Sequence, residues 1–156
     1  MKLTIVAIAN KMPEWVNEAF ADYAKRMPPH MRLELKEIKA EKRDSGKTAL
    51  QIMEAEKTRI EAAVPDGALL VALDERGEQI SSLRLADWMR GWQGEGRDVA
   101  LVIGGADGLH QSLRQQADKT LALSNLTLPH GLARVLLAEQ IYRAYSITQN
   151  HPYHRE

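Results

Sequence analysis

The last seven residues, Asn150-His151-Pro152-Tyr153-His154-Arg155-Glu156, place imidazole, phenol and guanidinium side by side with no helical pattern. Tyrosine and arginine stack on nucleic-acid bases and fork onto phosphates. Pro152 stiffens the segment and so lowers the entropy lost when it docks. Chain ends also fray into solvent, so two readings stand, a solvated tail and a functional one. A second group is Leu123-Ser124-Asn125-Leu126-Thr127-Leu128, followed by Pro129-His130. The stretch 123–128 has no ionisable side chain and so does no acid–base chemistry itself. Its alternation of apolar and small polar residues suits a wall for a flat heterocycle, read by backbone N–H and C=O groups, and equally suits an ordinary strand. Leu73-Asp74 and Gly104-Gly105 close two apolar runs. Paired glycines let a backbone approach a ligand closely, or simply turn tightly.

Other patterns resemble sites and fail on spacing. Gly46-Lys47-Thr48 mimics the end of a phosphate-binding loop, but Glu41 stands where that motif needs its first glycine, and no strand leads directly into it. Gly104-Gly105-Ala106-Asp107-Gly108 follows a strand and opens a helix, yet it has the wrong spacing for a dinucleotide fingerprint and falls in the fourth strand unit. His151 and His154 have no cysteine partner and sit in an apparently extended tail, which argues against a zinc site.

The elements that must carry these groups alternate. Thr4 to Ala9 is a continuous apolar run, as in a strand buried on both faces. Pro13 opens a helix with Trp15, Val16, Ala19, Phe20 and Tyr23 on one stripe, closed by Pro28-Pro29. Met31, Leu33 and Leu35 alternate with charged residues as in a half-wet strand, and 40–46 reads as a mobile loop. A second helix runs from about Lys47 to Val64 with Leu50, Met53, Lys57 and Ile60 on one side. Ala68–Leu73 is a third strand ending in a turn-rich Glu75–Glu78, Ser81–Trp92 a helix, Val99–Ile103 a fourth strand and Gly108–Lys119 a helix. Thr120–Leu128 contains a short last strand, and a helix from near Gly131 to about Gln149 follows. This order predicts one α/β domain with a mainly parallel sheet and helices on both faces. In such sheets ligands bind outside the carboxyl ends of the strands. The last helix spreads Leu132, Val135, Leu136, Leu137, Ala138, Ile141, Tyr142 and Tyr145 over more than one face, which predicts burial by its own sheet and by another subunit.

Composition narrows the classes. The chain has 156 residues with 21 basic and 21 acidic side chains, so it is no protein that coats polyanions by bulk charge. No apolar run approaches the roughly 20 residues of a membrane span. The apolar start lacks a cleavage pattern and reads as a strand, not a signal peptide. With no cysteine there is no disulfide or thiolate metal site, which fits a reducing, cytoplasmic setting.

Three segments then resemble the signatures of one family: Val102–Leu109; Leu123–His130 with Arg134–Ala144; and Asn150–Glu156. In this order they resemble the bacterial large-subunit ribosomal RNA pseudouridine N3-methyltransferases, small members of the trefoil-knotted SPOUT class. The resemblance spans 1–156, including Met1-Lys2-Leu3 and Lys11-Met12-Pro13, and departs at Glu75-Arg76-Gly77 and Ala106-Asp107. It implies a C-terminal trefoil knot, which general topology rules do not yield. It also implies a homodimer without metal or membrane partner, S-adenosylmethionine as cofactor, and 23S rRNA within the ribosome as substrate. By similarity the cofactor contacts fall on Leu73, Gly104, Leu123, Ser124, Asn125, Leu126, Thr127 and Leu128.

The implied reaction methylates N3 of a pseudouridine. His130, directly after the cofactor wall, is expected beside the reacting base, titrating near neutrality to accept the proton or hold the uracil edge. A helix-start histidine bonded to backbone is the plainer alternative. Arg143 and Arg155 are expected on phosphate or a uracil carbonyl, Tyr153 against the target, and His154 as a second base, with the tail 150–156 of one subunit completing the other's site. Lys36, Lys39, Lys42, Arg43 and Lys47 outnumber their acidic neighbours as an RNA-facing patch, or form an ordinary solvated face. Two rival readings are a ribosome-binding factor without catalysis and a methyltransferase for another RNA position or tRNA.

Overall fold

The computed structural model describes residues 1–44 and 46–155. Ser45, inside the expected loop, and Glu156, the last residue of the expected tail, lie outside the described residues. Five strands form one sheet: β1 (Lys2–Ile8), β2 (Arg32–Ile38), β3 (Leu69–Gln79), β4 (Val99–Ile103) and β5 (Lys119–Ala122). Their order is β2-β1-β4-β3-β5, and every pairing is parallel. The helices are α1 (Glu14–Ala24), α2 (Ala49–Ala63), α3 (Ser82–Glu95), α4 (Gln111–Gln116) and α5 (His130–Thr148), with short 3₁₀ turns at Pro29–Met31 and Pro152–Arg155.

The two central strands explain the layering. β4 is buried at all five positions, and β1 at all but its first. Leu3, Ile5, Ala7, Leu101 and Ile103 face a core shared with α1, α3 and α5, whereas Val6, Ile8 and Val102 face a smaller core with Ile60 of α2 and Leu113 of α4. Helices therefore cover both faces, as the unbroken apolar runs require. Helix ends follow local chemistry: Thr48 and Gln51 cap α2 reciprocally, Ser81 accepts from the Arg84 N–H at α3, and Gly96 ends α3 in the left-handed region at φ 68°.

Several expectations are corrected. Trp15 and Leu50 are each 54% exposed, and the inward stripe of α2 is Ile52, Glu56 and Ile60. A charged residue in the middle of that stripe masks its period, so the apolar pattern points to the wrong side. β3 does not stop at Asp74 but bulges and resumes pairing at Glu78–Leu121 and Gln79–Ala122. α4 is only a short helix, and Lys119 already belongs to β5. Residues 123–128 are not strand: β5 ends at Ala122 and the chain leaves the sheet irregularly. α5 buries Leu137, Ala138, Ile141 and Ala144 and leaves Leu132 and Leu136 at the surface, each 36% exposed.

α5 also buries an arginine completely. Arg134 has no exposed surface; its Nη1 donates to Glu37 Oε2 at 3.2 Å, while Nε and Nη2 find no partner among the described residues. Removing the carboxylate leaves a buried guanidinium without its counter-charge. Glu37→Ala is expected to lower stability by about 2 kcal/mol, read from urea unfolding; an unchanged midpoint would show that the pair contributes nothing.

Candidate active site

The start of the bulge in β3 and the carboxyl ends of β4 and β5 bring Leu73-Asp74, Gly104-Gly105 and 123–128 together. They surround a cleft of about 330 Å³, within the range of small-molecule sites. Leu73, Gly104, Leu123, Ser124, Leu126, Thr127 and Leu128 all line it; Asn125 of the expected set does not. Because 123–128 has left the sheet, its main chain is free of ladder bonds. Only the Leu126 N–H is tied locally, to Ser124 Oγ at 2.9 Å; the main-chain groups of Ser124, Thr127 and Leu128 make no hydrogen bond within the described residues. Unpaired peptide groups need water or a ligand. Gly104 sits where a Cβ would come within 2.7 Å of the Gly108 carbonyl carbon, so only glycine permits the turn that floors the cleft. Asp74 is held at the rim by the Arg76 main-chain N–H at 2.8 Å and by Arg114 at 3.5 Å.

A second cleft of about 630 Å³ adjoins the first across Gly104, Gly105 and Ala106, with Leu128 and Ala133 common to both. Ala9, Asn10, Lys39, Arg43, Glu56 and His130 line its far side. His130 is the first residue of α5, and its Nε2 is buried with no partner among the described residues. Burial, with Arg134 close by, pushes its pKa down to about 4. The expectation of titration near neutrality is therefore corrected: at pH 7 His130 is a neutral imidazole, able to donate and accept but a weak base.

The tail is not extended. Pro152–Arg155 forms a 3₁₀ turn folded back on α5 of its own chain. The Tyr153 hydroxyl donates to Glu139 Oε2 at 2.8 Å, the same oxygen that accepts from Arg143 Nε at 3.0 Å. The Arg143 guanidinium lies 4.9 Å from the centre of the Tyr153 ring, and Tyr142 meets that ring edge-on at 4.7 Å. Arg26, just past the end of α1, reaches three rings, Tyr23 at 5.1 Å, Tyr142 at 5.6 Å and Tyr153 at 5.8 Å. Burial, with the bond to Glu139, raises the Tyr153 pKa, so the phenol stays protonated. His154 Nδ1 is buried without a partner among the described residues, and Arg155 is exposed. Arg143, Tyr153, His154 and Arg155 line neither cleft of their own chain.

The basic stretch is partly neutralised. Arg43 pairs with Asp107, Lys47 and Arg59 with Glu41, and Lys36 donates to the Ala63 carbonyl. Of the five cations grouped in the sequence, Arg43 and Lys47 alone are paired with a carboxylate among the described residues. Glu56, absent from the sequence-derived site, is a cleft residue; its signal was an acid spaced by four from both Ile52 and Ile60.

A parallel α/β sheet with adjoining clefts at its carboxyl edge, one of them walled by a segment that has left the sheet, defines the class. Residues 1–154 match the family described as "Predicted SPOUT methyltransferase", and the chain belongs to that family. It is 60% identical over 155 residues to the ribosomal RNA large subunit methyltransferase H of Ralstonia nicotianae, covering 99% of each chain. It is 59% identical, with the same coverage, to the protein of that name from Burkholderia lata. A solved probable methylase family protein from Haemophilus influenzae shares the fold, with a TM-score of 0.62 over 97% of this chain and 69% of that one, at 17% identity.

The shifted histidine has a measurable consequence. Below an ordinary histidine pKa of about 6.5 the unfolded chain takes up a proton that folded His130 refuses until about pH 4. Stability attributable to this group is thus complete above about pH 6.5 and declines as pH falls toward 4. Thermal unfolding between pH 7 and 4.5 is expected to show a smaller loss of Tm in His130→Gln than in the wild type; identical slopes would contradict the desolvated imidazole.

Proposed function

We propose that this chain transfers the methyl group of S-adenosylmethionine to N3 of a pseudouridine in 23S rRNA, acting on the assembled ribosome in the cytoplasm. In this reading residues 1–156 work as one methyltransferase unit, threaded as a C-terminal trefoil knot and paired as a homodimer. Membership of the SPOUT family and about 60% identity to relatives named for large-subunit rRNA methylation support it. The observation that carries it is the meeting of Leu73, Gly104 and the 123–128 segment around one cleft.

The residues present fit the cofactor. Leu73, Leu121, Leu123 and Leu126 offer apolar surface for a flat ring, and the unpaired main chain of Ser124, Thr127 and Leu128 offers donors and acceptors for its edge. Bound there, S-adenosylmethionine supplies an activated methyl electrophile on its sulfonium. The protein has to hold the target's N3 in line and give its imide proton somewhere to go. Positioning of this kind contributes up to roughly 7–11 kcal/mol in ideal cases, and a placed base about 10²–10⁴-fold. His130, neutral and unpartnered beside the shared wall, would hold the uracil edge in the second cleft. Its depressed pKa makes edge recognition the better role than carrying the proton away.

The tail belongs to this chemistry through the dimer. In its own chain it packs beside Glu139, nine residues along α5 from His130, which is about 14 Å of helix. Leu132 and Leu136 on α5 give a partner an apolar surface to cover. A second copy against α5 would carry Tyr153, His154 and Arg155 toward the neighbouring clefts, with Arg143 fixing the tail's base through Glu139 and the Tyr153 ring. With no net charge on the chain, recognition would rest on the shape of an assembled RNA surface.

Two experiments test this. Single-turnover methylation with mass mapping is expected to place one methyl on N3 of a large-subunit pseudouridine in ribosomes, with stripped rRNA a poor substrate. Equal turnover of both, or a methyl elsewhere, would overturn the reading. Co-expressed Gly104→Ala chains, whose cleft is blocked, and Tyr153→Ala/Arg155→Ala chains should each be inactive alone. Together they should recover about a quarter of wild-type activity, since half the dimers carry one complete site. No recovery would place the tail in its own subunit's site or outside the chemistry.

A further inference from the structure

Glu56 is the one acidic side chain among the described residues in the buried class, at 4% exposure. An apolar residue between Ile52 and Ile60 would serve the packing of α2 better, since a desolvated carboxylate is costly unless its oxygens are bonded. Its Oε2 accepts the Glu41 main-chain N–H at 3.1 Å, and Oε1 receives no hydrogen bond from the described residues. Burial raises its pKa and Asp107 adds to the effect, opposed by the Glu41 N–H bond and by Arg59 and Arg43. The carboxylate lines the second cleft directly behind the wall shared with the first. A Cβ at Gly105 would come within 2.9 Å of Oε1 and 3.1 Å of Oε2, so a glycine in the shared wall is what lets the carboxylate stand there.

An acceptor in that position calls for an N–H donor on whatever fills the cleft. The base proposed above has one that uridine lacks. Pseudouridine is joined to its ribose through C5, so N1 keeps a hydrogen, and N1–H and N3–H diverge on either side of the C2 carbonyl. With N3 turned to the first cleft across Gly104 and Gly105, the N1–H edge would lie along the same wall, toward Glu56. Resting on that functional reading, we infer that Glu56 selects pseudouridine over uridine by accepting the N1–H of the target base. His130, on the same cleft, would face another part of the ring. Sites built to bond a substrate N–H discriminate strongly against analogues without it, because the buried acceptor is left unpaired.

The test compares ribosomes carrying pseudouridine at the target with ribosomes from cells lacking the corresponding pseudouridine synthase, which carry uridine there. The readout is the ratio of kcat/KM on the two substrates for the wild type, Glu56→Gln and Glu56→Leu. Glutamine keeps the shape and an oxygen for the Glu41 N–H, and S-adenosylmethionine affinity by calorimetry reports whether the neighbouring cleft is intact. The preference for pseudouridine is expected to narrow about tenfold in Glu56→Gln, as a charged acceptor becomes a neutral one, and further in Glu56→Leu. An unchanged ratio in Glu56→Gln with cofactor affinity retained overturns the assignment. So does a fall in both rates by the same factor, the mark of a general base or a structural role, and so does a wild type that does not discriminate. A wild type inactive on pseudouridine ribosomes would sink the underlying function instead, and this assignment with it.

Discussion

The structure depends on two adjacent strands that have no wet face. β1 and β4 pair in parallel at the centre of the sheet, and helices cover them on both sides. Nothing polar can sit along their length without losing its water. Parallel pairing sends both carboxyl ends to one edge, and β3 and β5 end on the same side. The groups that line the two clefts are thereby gathered at that edge. The glycine turn after β4, the irregular exit after β5 and the start of α5 are its three main components.

That edge also concentrates unfavourable burial. His130 is kept neutral, and among the described residues two donors of Arg134 and one oxygen of Glu56 find no partner. Groups in this condition are uncommon in a folded interior and collect where a ligand or partner completes them. The rest of the molecule, capped helices around a continuous apolar core, supplies the stability that tolerates them.

Much of this was legible in the sequence because it rests on local pattern. The strand Val99–Ile103 was read with its exact bounds, since a double-sided apolar run ending in two glycines has few alternatives. The 123–128 wall of the first cleft was visible as a stretch without charge, although it forms no strand. What stayed hidden was long-range. The inward face of α2 was misread because its central residue is a glutamate whose burial is set by Gly105, almost fifty positions away. The pKa of His130 depends above all on burial that appears only when α5 docks. The bulge in β3 exists because β5 pairs with it twice, a fact of topology and not of the Glu75–Gly77 residues alone. The folded tail escaped because its anchors, Glu139 and Arg26, are distant in sequence.

Arg26 is worth following outward from its three rings. One cation just past the end of α1 joins Tyr23 of that helix, Tyr142 of α5 and Tyr153 of the terminal turn. Cation–ring attraction holds only while the charge stays over the ring's face, because the ring's edge carries the opposite partial charge. The terminal hook is therefore clasped twice, by this cation and by the Tyr153–Glu139 bond, and the two together fix the angle of its ring. A side chain near the beginning of the chain thus helps to seat the far end.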